Sequence, residues 1–200
     1  AVEVFDRERR CTTIFKHDAC AFAYRWSRFK RADERSRYIV VNVRFRLPRR
    51  GESRLDYPGI REELAAMGIA SASERDVFNA VCAIRRRKLP DPAVIGNAGS
   101  FFKNPIIATD VARALLAAYP GAPNFEADGN QRKLSAAWLI EQCGLKGYRD
   151  GDAGVSAQHA LVLVNHGAAT GADLWRVAQR VQTSVRERFG IELEPEPVVI

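Results

Sequence analysis

The order of apolar and polar residues changes along the chain, from alternation near the start to helical spacing later. Alternation predicts a β-hairpin over residues 1–15 and a strand over residues 38–47. Helical spacing predicts helices over residues 60–67, 73–88, from 109 to the turn at 119–121, 134–143 and 172–189. A short buried strand is predicted over residues 160–164, and an extended segment over residues 194–197, where prolines block helix. The pattern therefore predicts an α+β chain.

One segment, residues 96–105, combines turn residues with side chains that can carry chemistry. It reads GNAGSFFKNP, and its glycines and first asparagine tolerate the left-handed backbone that other residues resist. Prolines at positions 92 and 105 make a helix through it unfavourable. One interpretation is a glycine-supported loop that leads into a short buried strand. The other is a loop that brings its backbone and the Ser100 hydroxyl against a ligand, and the pattern alone leaves both open.

Composition and charge narrow the class of protein. With 46% hydrophobic and 28% charged residues, the 200-residue chain is typical of soluble globular proteins. We expect no membrane partner, because no apolar run reaches the roughly 20 residues that cross a bilayer. We also expect no structural metal, because the four cysteines contain no CxxC pair and the histidines do not complete zinc spacing. The net charge of +7 favours an anionic partner, either nucleic acid or a phosphorylated small molecule.

Familiar catalytic and phosphate-binding motifs are missing from the sequence. It has no GxSxG elbow, no GxxxxGK[ST] loop and no GxGxxG turn, so a hydrolase triad and a P-loop are disfavoured. Taken singly, the basic residues 85–88 are explained by the negative end of a helix. Arg25 is explained by solvation beside an aromatic ring, and Glu196 by an exposed tail. These ordinary explanations assign no function.

Taken in order, however, six stretches of sequence match one enzyme family. They are YRWSRFK at residues 24–30, RRRKLPDP at 85–92, GNAGSFFKNP at 96–105, AAWLIEQCGLKG at 136–147, QHALVLVN at 158–165 and LEPE at 193–196. The chain resembles the UDP-N-acetylenolpyruvoylglucosamine reductase family, also called UDP-N-acetylmuramate dehydrogenase, over essentially its whole length. The GSFFKNP string is highly specific.

The resemblance implies a reductase of peptidoglycan synthesis that uses FAD and NADPH. NADPH reduces the flavin, which then passes hydride to the enolpyruvyl group of UDP-N-acetylglucosamine enolpyruvate. By the same resemblance, Ser100 donates the proton, Arg25 pairs with the developing enolate, and Glu196 lies beside the same carbon. The remaining matched positions are the substrate contacts Tyr57, Lys88 and Asn104, the candidate substrate contact His159, and the cofactor contacts Arg85 and Gly99.

The resemblance also implies how the chain is divided. Residues 1–68 are expected to be the end of an FAD-binding α+β domain, residues 69–193 an α/β substrate-binding domain, and residues 194–200 a tail that returns to the flavin domain. The family's glycine-rich FAD segments belong to a region not present here, and the sequence opens with alanine, so we expect a fragment. We expect a cytoplasmic monomer with no nucleic-acid partner. A truncated paralogue that binds UDP-sugars without catalysis is the alternative.

Two residues depart from the family pattern. Trp26 stands beside Arg25 where the family usually has a small or acidic residue, which alters the expected packing there. Phe125 occupies a position where some members carry a substrate-binding tyrosine, so one hydroxyl donor is lost.

Overall fold

The chain divides into two units, Ala1–Glu52 and Ser53–Ile200, each with its own core. The computed structural model describes residues 1–49, 51, 53–57 and 59–197. Within those ranges no helix combines the length and the apolar character needed to cross a bilayer. The chain contains both α-helices and antiparallel strands, so the predicted mixture of α and β elements is confirmed.

The first unit is a three-stranded antiparallel sheet. Its strands are β1 (Val2–Asp6), β2 (Cys11–Phe15) and β3 (Tyr38–Val43), in the order β2-β1-β3. The hairpin predicted over residues 1–15 is confirmed, because β1 and β2 pair from Val2↔Phe15 to Asp6↔Cys11. The strand predicted over residues 38–47 is shorter than expected, because its ladder with β1 ends at the pair Val2↔Val43.

An ion pair joins the last residue of β1, Asp6, to Arg37, which directly precedes β3. The Asp6 carboxylate is buried and accepts a 2.6 Å hydrogen bond from the guanidinium of Arg37. This hydrogen bond lowers the pKa of Asp6 to about 2. Asp6 therefore stays ionised in the folded chain at neutral pH, and its paired charge is compatible with its burial.

The second unit contains five helices and seven strands within the described residues. In chain order they are α1 (Ile60–Ala66), α2 (Glu74–Lys88), β4 (Gly96–Ser100), β5 (Ile106–Ala108), α3 (Thr109–Ala118), β6 (Asn124–Ala127), β7 (Gln131–Leu134), α4 (Ala136–Gln142), β8 (Arg149–Asp150), β9 (Ala153–Val155), β10 (Val162–Asn165) and α5 (Gly171–Phe189). The strands form two antiparallel sheets, β4-β10-β9-β8 and β5-β7-β6.

The main core of the second unit lies where α4 and α5 pack with the β4-β10-β9-β8 sheet. Val177, Val181 and Val185 recur along α5 at helical spacing and are fully buried, which agrees with the predicted apolar stripe. Gly190 follows the predicted helix and ends α5 in the left-handed conformation that glycine readily adopts. Leu193 belongs to the same core, so the chain beyond α5 remains attached to it.

Helix α2 packs on α1 around a separate small core, and its start agrees with the sequence. Ser73 accepts a hydrogen bond from the Asp76 backbone, and the Asp76 carboxylate accepts one from the Ser73 backbone, which completes a capping box. The residues Thr109-Asp110 also suggest a helix cap from the sequence, and this interpretation is wrong. Helix α3 begins at Thr109, and its N-cap, Ala108, makes no side-chain bond.

Candidate active site

The segment predicted as a glycine-supported loop is an edge strand with a bulge. Strand β4 pairs with β10 at Asn97↔Val164 and Ser100↔Val162, so two residues of β4 lie opposite one of β10. Gly99 occupies the bulge with φ of +77°, a conformation that side chains with a Cβ adopt at a cost. The bulge therefore immediately precedes Ser100, which is half-buried at the end of the strand.

The chain beyond α5 pairs with the residues that follow Ser100. An antiparallel bridge joins Phe102 to Pro195. On one side of it, the Glu196 backbone N–H donates to the Phe101 carbonyl at 2.8 Å. The second unit thus brings two of the three predicted catalytic residues, Ser100 and Glu196, onto adjacent hydrogen-bonded segments.

Further contacts hold this C-terminal segment in place. The Lys103 backbone N–H donates to the Glu194 carbonyl at 2.9 Å, and the side chains of the same two residues form an ion pair. The amide of Gln182 on α5 donates to the Leu193 carbonyl at 2.8 Å. Leu193 itself is only 2% exposed. The position of Glu196 therefore depends on a side chain buried three residues earlier.

A cavity of about 750 Å³ lies between the end of α2 and the bulged strand. Its lining includes both predicted cofactor contacts, Arg85 and Gly99. It also includes Arg86, Asn97 and Gln158, which the sequence analysis did not single out as binding residues. A Cβ added at Gly99 would meet no protein atom within 4 Å, so the space beside this backbone is open to a ligand.

The cavity carries positive charge from the last turn of α2. Arg85 and Arg86 are exposed there, and the carbonyl end of the helix favours cations at this position. Arg87 lies in the same turn but is absent from the cavity lining, and its guanidinium donates to the Glu63 carboxylate at 3.1 Å. Lys88 ends the helix and is exposed. Two guanidinium groups at one cavity suit an anionic ligand such as a diphosphate.

Asn104 has a structural contact as well as a predicted binding role. Its Oδ1 accepts a 2.9 Å hydrogen bond from the Ala136 backbone N–H at the start of α4. Because the carbonyl oxygen is used in this way, its orientation is fixed and the amide NH₂ is the group that a ligand would meet as a donor. That donor chemistry is compatible with the substrate contact that the family resemblance implies for Asn104.

His159 is held in one neutral tautomer. The Leu161 backbone N–H donates to His159 Nδ1 at 3.2 Å, so Nδ1 is an acceptor and the ring proton lies on Nε2. Burial lowers the pKa of His159; Glu141 opposes this effect, whereas Lys146 and Lys88 add to it. The ring therefore offers an N–H donor at neutral pH.

The other two predicted site residues lie on exposed segments. Arg25 belongs to the first unit, where its φ is +51° and its carbonyl accepts a 2.9 Å hydrogen bond from Lys30 Nζ. Tyr57 precedes α1 in the second unit and is 68% exposed. A common site containing Arg25 together with Ser100 and Glu196 stays a prediction.

Metal binding is not supported by any cluster within the described ranges. Among residues 1–49, 51, 53–57 and 59–197, no group of three His, Cys, Asp or Glu side chains is arranged to hold an ion.

Comparison with known proteins gives first the class and then the family. The relatives found are reductases, with 56% identity to the protein from Xanthomonas euvesicatoria pv. vesicatoria (strain 85-10) and 50% to that from Pseudomonas aeruginosa. A family model described as UDP-N-acetylenolpyruvoylglucosamine reductase, C-terminal domain, matches residues 91–200. The chain belongs to the UDP-N-acetylenolpyruvoylglucosamine reductase family, as its sequence motifs indicated.

The chain spans little more than half the length of these relatives. The alignments cover 100% of the chain but 57% of the Xanthomonas protein, and 98% of the chain but 58% of the Pseudomonas protein. The crystal structure of UDP-N-acetylenolpyruvylglucosamine reductase from Thermus caldophilus matches with a TM-score of 0.56 and 27% identity. That match covers 99% of the chain and 51% of the Thermus protein.

Proposed function

We propose that the chain is part of an NADPH-dependent flavoenzyme that reduces UDP-N-acetylglucosamine enolpyruvate to UDP-N-acetylmuramate in peptidoglycan synthesis. The observation that carries the proposal is the pairing of the Glu196 segment with the residues directly after Ser100. Family membership supports this reaction, and the pairing supports it by holding two of the proposed catalytic residues on adjacent hydrogen-bonded segments.

The proposed residue roles follow from the chemistry of the substrate. Reduction of an enol ether beside a carboxylate leaves negative charge on a carbon and its carboxylate, which need a proton and a stabilising cation. Ser100 delivers the proton to the carbon, since even a weak hydroxyl acid can protonate so basic a centre. Arg25 pairs with the carboxylate through its permanently charged planar fork. Glu196 lies beside the same carbon.

The residues of the cavity fit one part of FAD. Arg85 and Arg86 provide cations for an anionic group, and Gly99 provides open backbone for a close approach. When bound, FAD would supply the two electrons that it takes from NADPH. The chain's own contribution is to hold the cofactor at Arg85 on α2 and at Gly99 on β4, and to place Ser100 at the end of β4.

The substrate diphosphate is proposed to lie against donors of the second unit. Lys88 contributes a cation at the end of α2, Asn104 its free NH₂, and Tyr57 a phenolic hydroxyl. His159 contributes the N–H of its neutral ring. All four groups donate hydrogen bonds, as an anionic ligand requires.

The domain assignment is part of the proposal. Residues 1–68 are proposed to complete a flavin domain, residues 69–193 to form the substrate domain, and residues 194–200 to reach back to the flavin domain. The complete enzyme is proposed to act as a monomer in the cytoplasm, with the UDP-sugar and NADPH as its partners.

Flavin spectroscopy of the full-length enzyme tests this function. The purified protein should show flavin absorbance that NADPH bleaches and the enolpyruvyl substrate restores. Arg85→Ala should weaken flavin retention at least about tenfold, which corresponds to the roughly 1.5–3 kcal/mol of a hydrogen bond to a charged group. Arg87→Ala is the matched control, because Arg87 lies in the same helical turn outside the cavity lining.

Two results would contradict the proposal. A protein that binds UDP-sugars but holds no flavin would be the non-catalytic paralogue. Equal loss of flavin in Arg85→Ala and Arg87→Ala would mean that the charge of the helix end, and not the cavity, is responsible.

A further inference from the structure

Asn97 makes three backbone contacts that join the two sides of the cavity. Its Oδ1 accepts from the Gly99 N–H at 3.1 Å. Its Nδ2 donates to the Ile95 carbonyl at 3.0 Å and lies 3.4 Å from the Pro90 carbonyl. The side chain is half-buried and lines the cavity. It thus ties the segment that follows α2 to the bulge of β4.

The hydrogen bond from the Gly99 N–H to Asn97 Oδ1 holds the backbone directly before Ser100. The Gly99 amide lies inside the bulge, where β4 has one more residue than β10 and cannot make the regular ladder. An amide in this position needs another acceptor, and the Asn97 carboxamide provides it. The regular pattern resumes at once, because the Phe101 N–H donates to the Leu161 carbonyl at 2.7 Å. Asn97 therefore holds the bulge at Gly99, which lies between the cavity and Ser100.

We propose that Asn97 is a positioning residue, which fixes the bulge at Gly99 and thereby aims the Ser100 hydroxyl for proton delivery. This inference rests on the proposed function of Ser100. Asn97 exchanges no proton itself, and all of its contacts named above are with backbone. A displacement of about 1 Å in a reacting group can cost about 100-fold in rate, so a loosened bulge should be visible in the step that Ser100 serves.

Two substitutions in the full-length enzyme separate the contacts of Asn97. Asn97→Ala removes all three, whereas Asn97→Asp keeps the acceptor for Gly99 and loses the donors to Pro90 and Ile95. We expect Asn97→Ala to slow oxidation of reduced flavin by substrate about 10- to 100-fold. In flavin-saturated Asn97→Ala enzyme, reduction of the flavin by NADPH should change less than about threefold.

Hydrogen exchange at the Gly99 amide gives a readout that does not depend on turnover. Exchange there should accelerate in Asn97→Ala and stay slow in Asn97→Asp, because only the latter keeps the acceptor. Asn165→Ala is the matched control. Asn165 likewise bonds nearby backbone groups through its side chain, with Oδ1 accepting from the Gly167 and Ala169 N–H groups, but it lies outside the cavity lining.

A double-mutant cycle with Ser100→Ala decides whether Asn97 acts through Ser100. If it does, Asn97→Ala added to Ser100→Ala should slow flavin oxidation by less than about twofold more, since the group it positions is gone. Full multiplication of the two effects would overturn the inference. So would equal slowing of both half-reactions by Asn97→Ala, or the same step-specific loss in Asn165→Ala.

The cycle also distinguishes this inference from the proposed function. Unchanged flavin oxidation in Ser100→Ala would remove the proton-donor role and with it the reason for positioning. Slow oxidation in Ser100→Ala with normal oxidation in Asn97→Ala would leave the function intact and overturn the positioning role alone.

Discussion

Leu193 attaches the C-terminal segment to the core of the second unit, and its truncation should detach Glu196 from the strand beside Ser100. The Leu193 side chain is 2% exposed, so replacement by alanine should cost about 2–5 kcal/mol. The two backbone hydrogen bonds that join residues 194 and 196 to residues 101 and 103 contribute about 0.5–1.5 kcal/mol each. The free energy contributed by burying Leu193 is therefore at least comparable to that of the two hydrogen bonds together. Loss of this burial should let the C-terminal segment open locally.

Hydrogen exchange in full-length Leu193→Ala measures this opening. A loss of 2 kcal/mol or more corresponds to at least about 30-fold faster exchange at the Glu196 and Lys103 amides. Oxidation of reduced flavin by substrate should slow with it, whereas flavin reduction by NADPH should not. Leu139→Ala is the matched control, because Leu139 on α4 is buried in the same core but lies outside the C-terminal segment. Equal exchange at the two amides in both variants would refute the reasoning.

Three further predictions concern stability. Burial lowers the pKa of His159, so its contribution to the unfolding free energy is complete above about pH 6.5 and declines as the pH falls through the lowered value. In urea unfolding, His159→Gln should flatten this decline of the unfolding free energy with pH, and an unchanged dependence on pH would contradict the prediction. Ser73→Ala, which removes a capping bond of α2, should cost about 1 kcal/mol in the same assay, and no loss would contradict the cap. Because Arg37 lowers the pKa of Asp6, the unfolding free energy of the wild type should fall as the pH drops from about 4 to about 2. Asp6→Asn should lack both this contribution and its decline. Parallel curves of unfolding free energy against pH for the two proteins would argue against the pair.

The elements that could be predicted are those whose signal is local. Helix α5 has an apolar stripe and a stop glycine, and α2 begins with Ser73 and an acid three residues later. Strands β6 and β7 were missed because NFEA and QRKL are largely polar, and their stability comes from pairing in the β5-β7-β6 sheet. The helix predicted over residues 134–143 begins two residues too early, because Leu134 belongs to β7 and Ser135 caps α4, which starts at Ala136.

The site could be predicted in its residue identities but not in its supports. The GNAGSFFKNP string identified Ser100, Gly99 and Asn104 as candidates. It did not show that Gly99 lies in a bulge, because a bulge is defined against β10, some 60 residues away. The contact between Asn97 and Pro90 likewise depends on how the chain returns after α2. Such long-range backbone contacts have no signature in a single sequence.

Single-turnover oxidation of reduced flavin by Ser100→Ala in the full-length enzyme tests the central claim most directly. Loss of a general acid typically costs about 10²- to 10⁴-fold, so the variant should accept electrons from NADPH at the normal rate and then fail to reduce the enolpyruvyl substrate at a comparable speed. Oxidation of the variant's flavin by substrate at the wild-type rate would contradict the account.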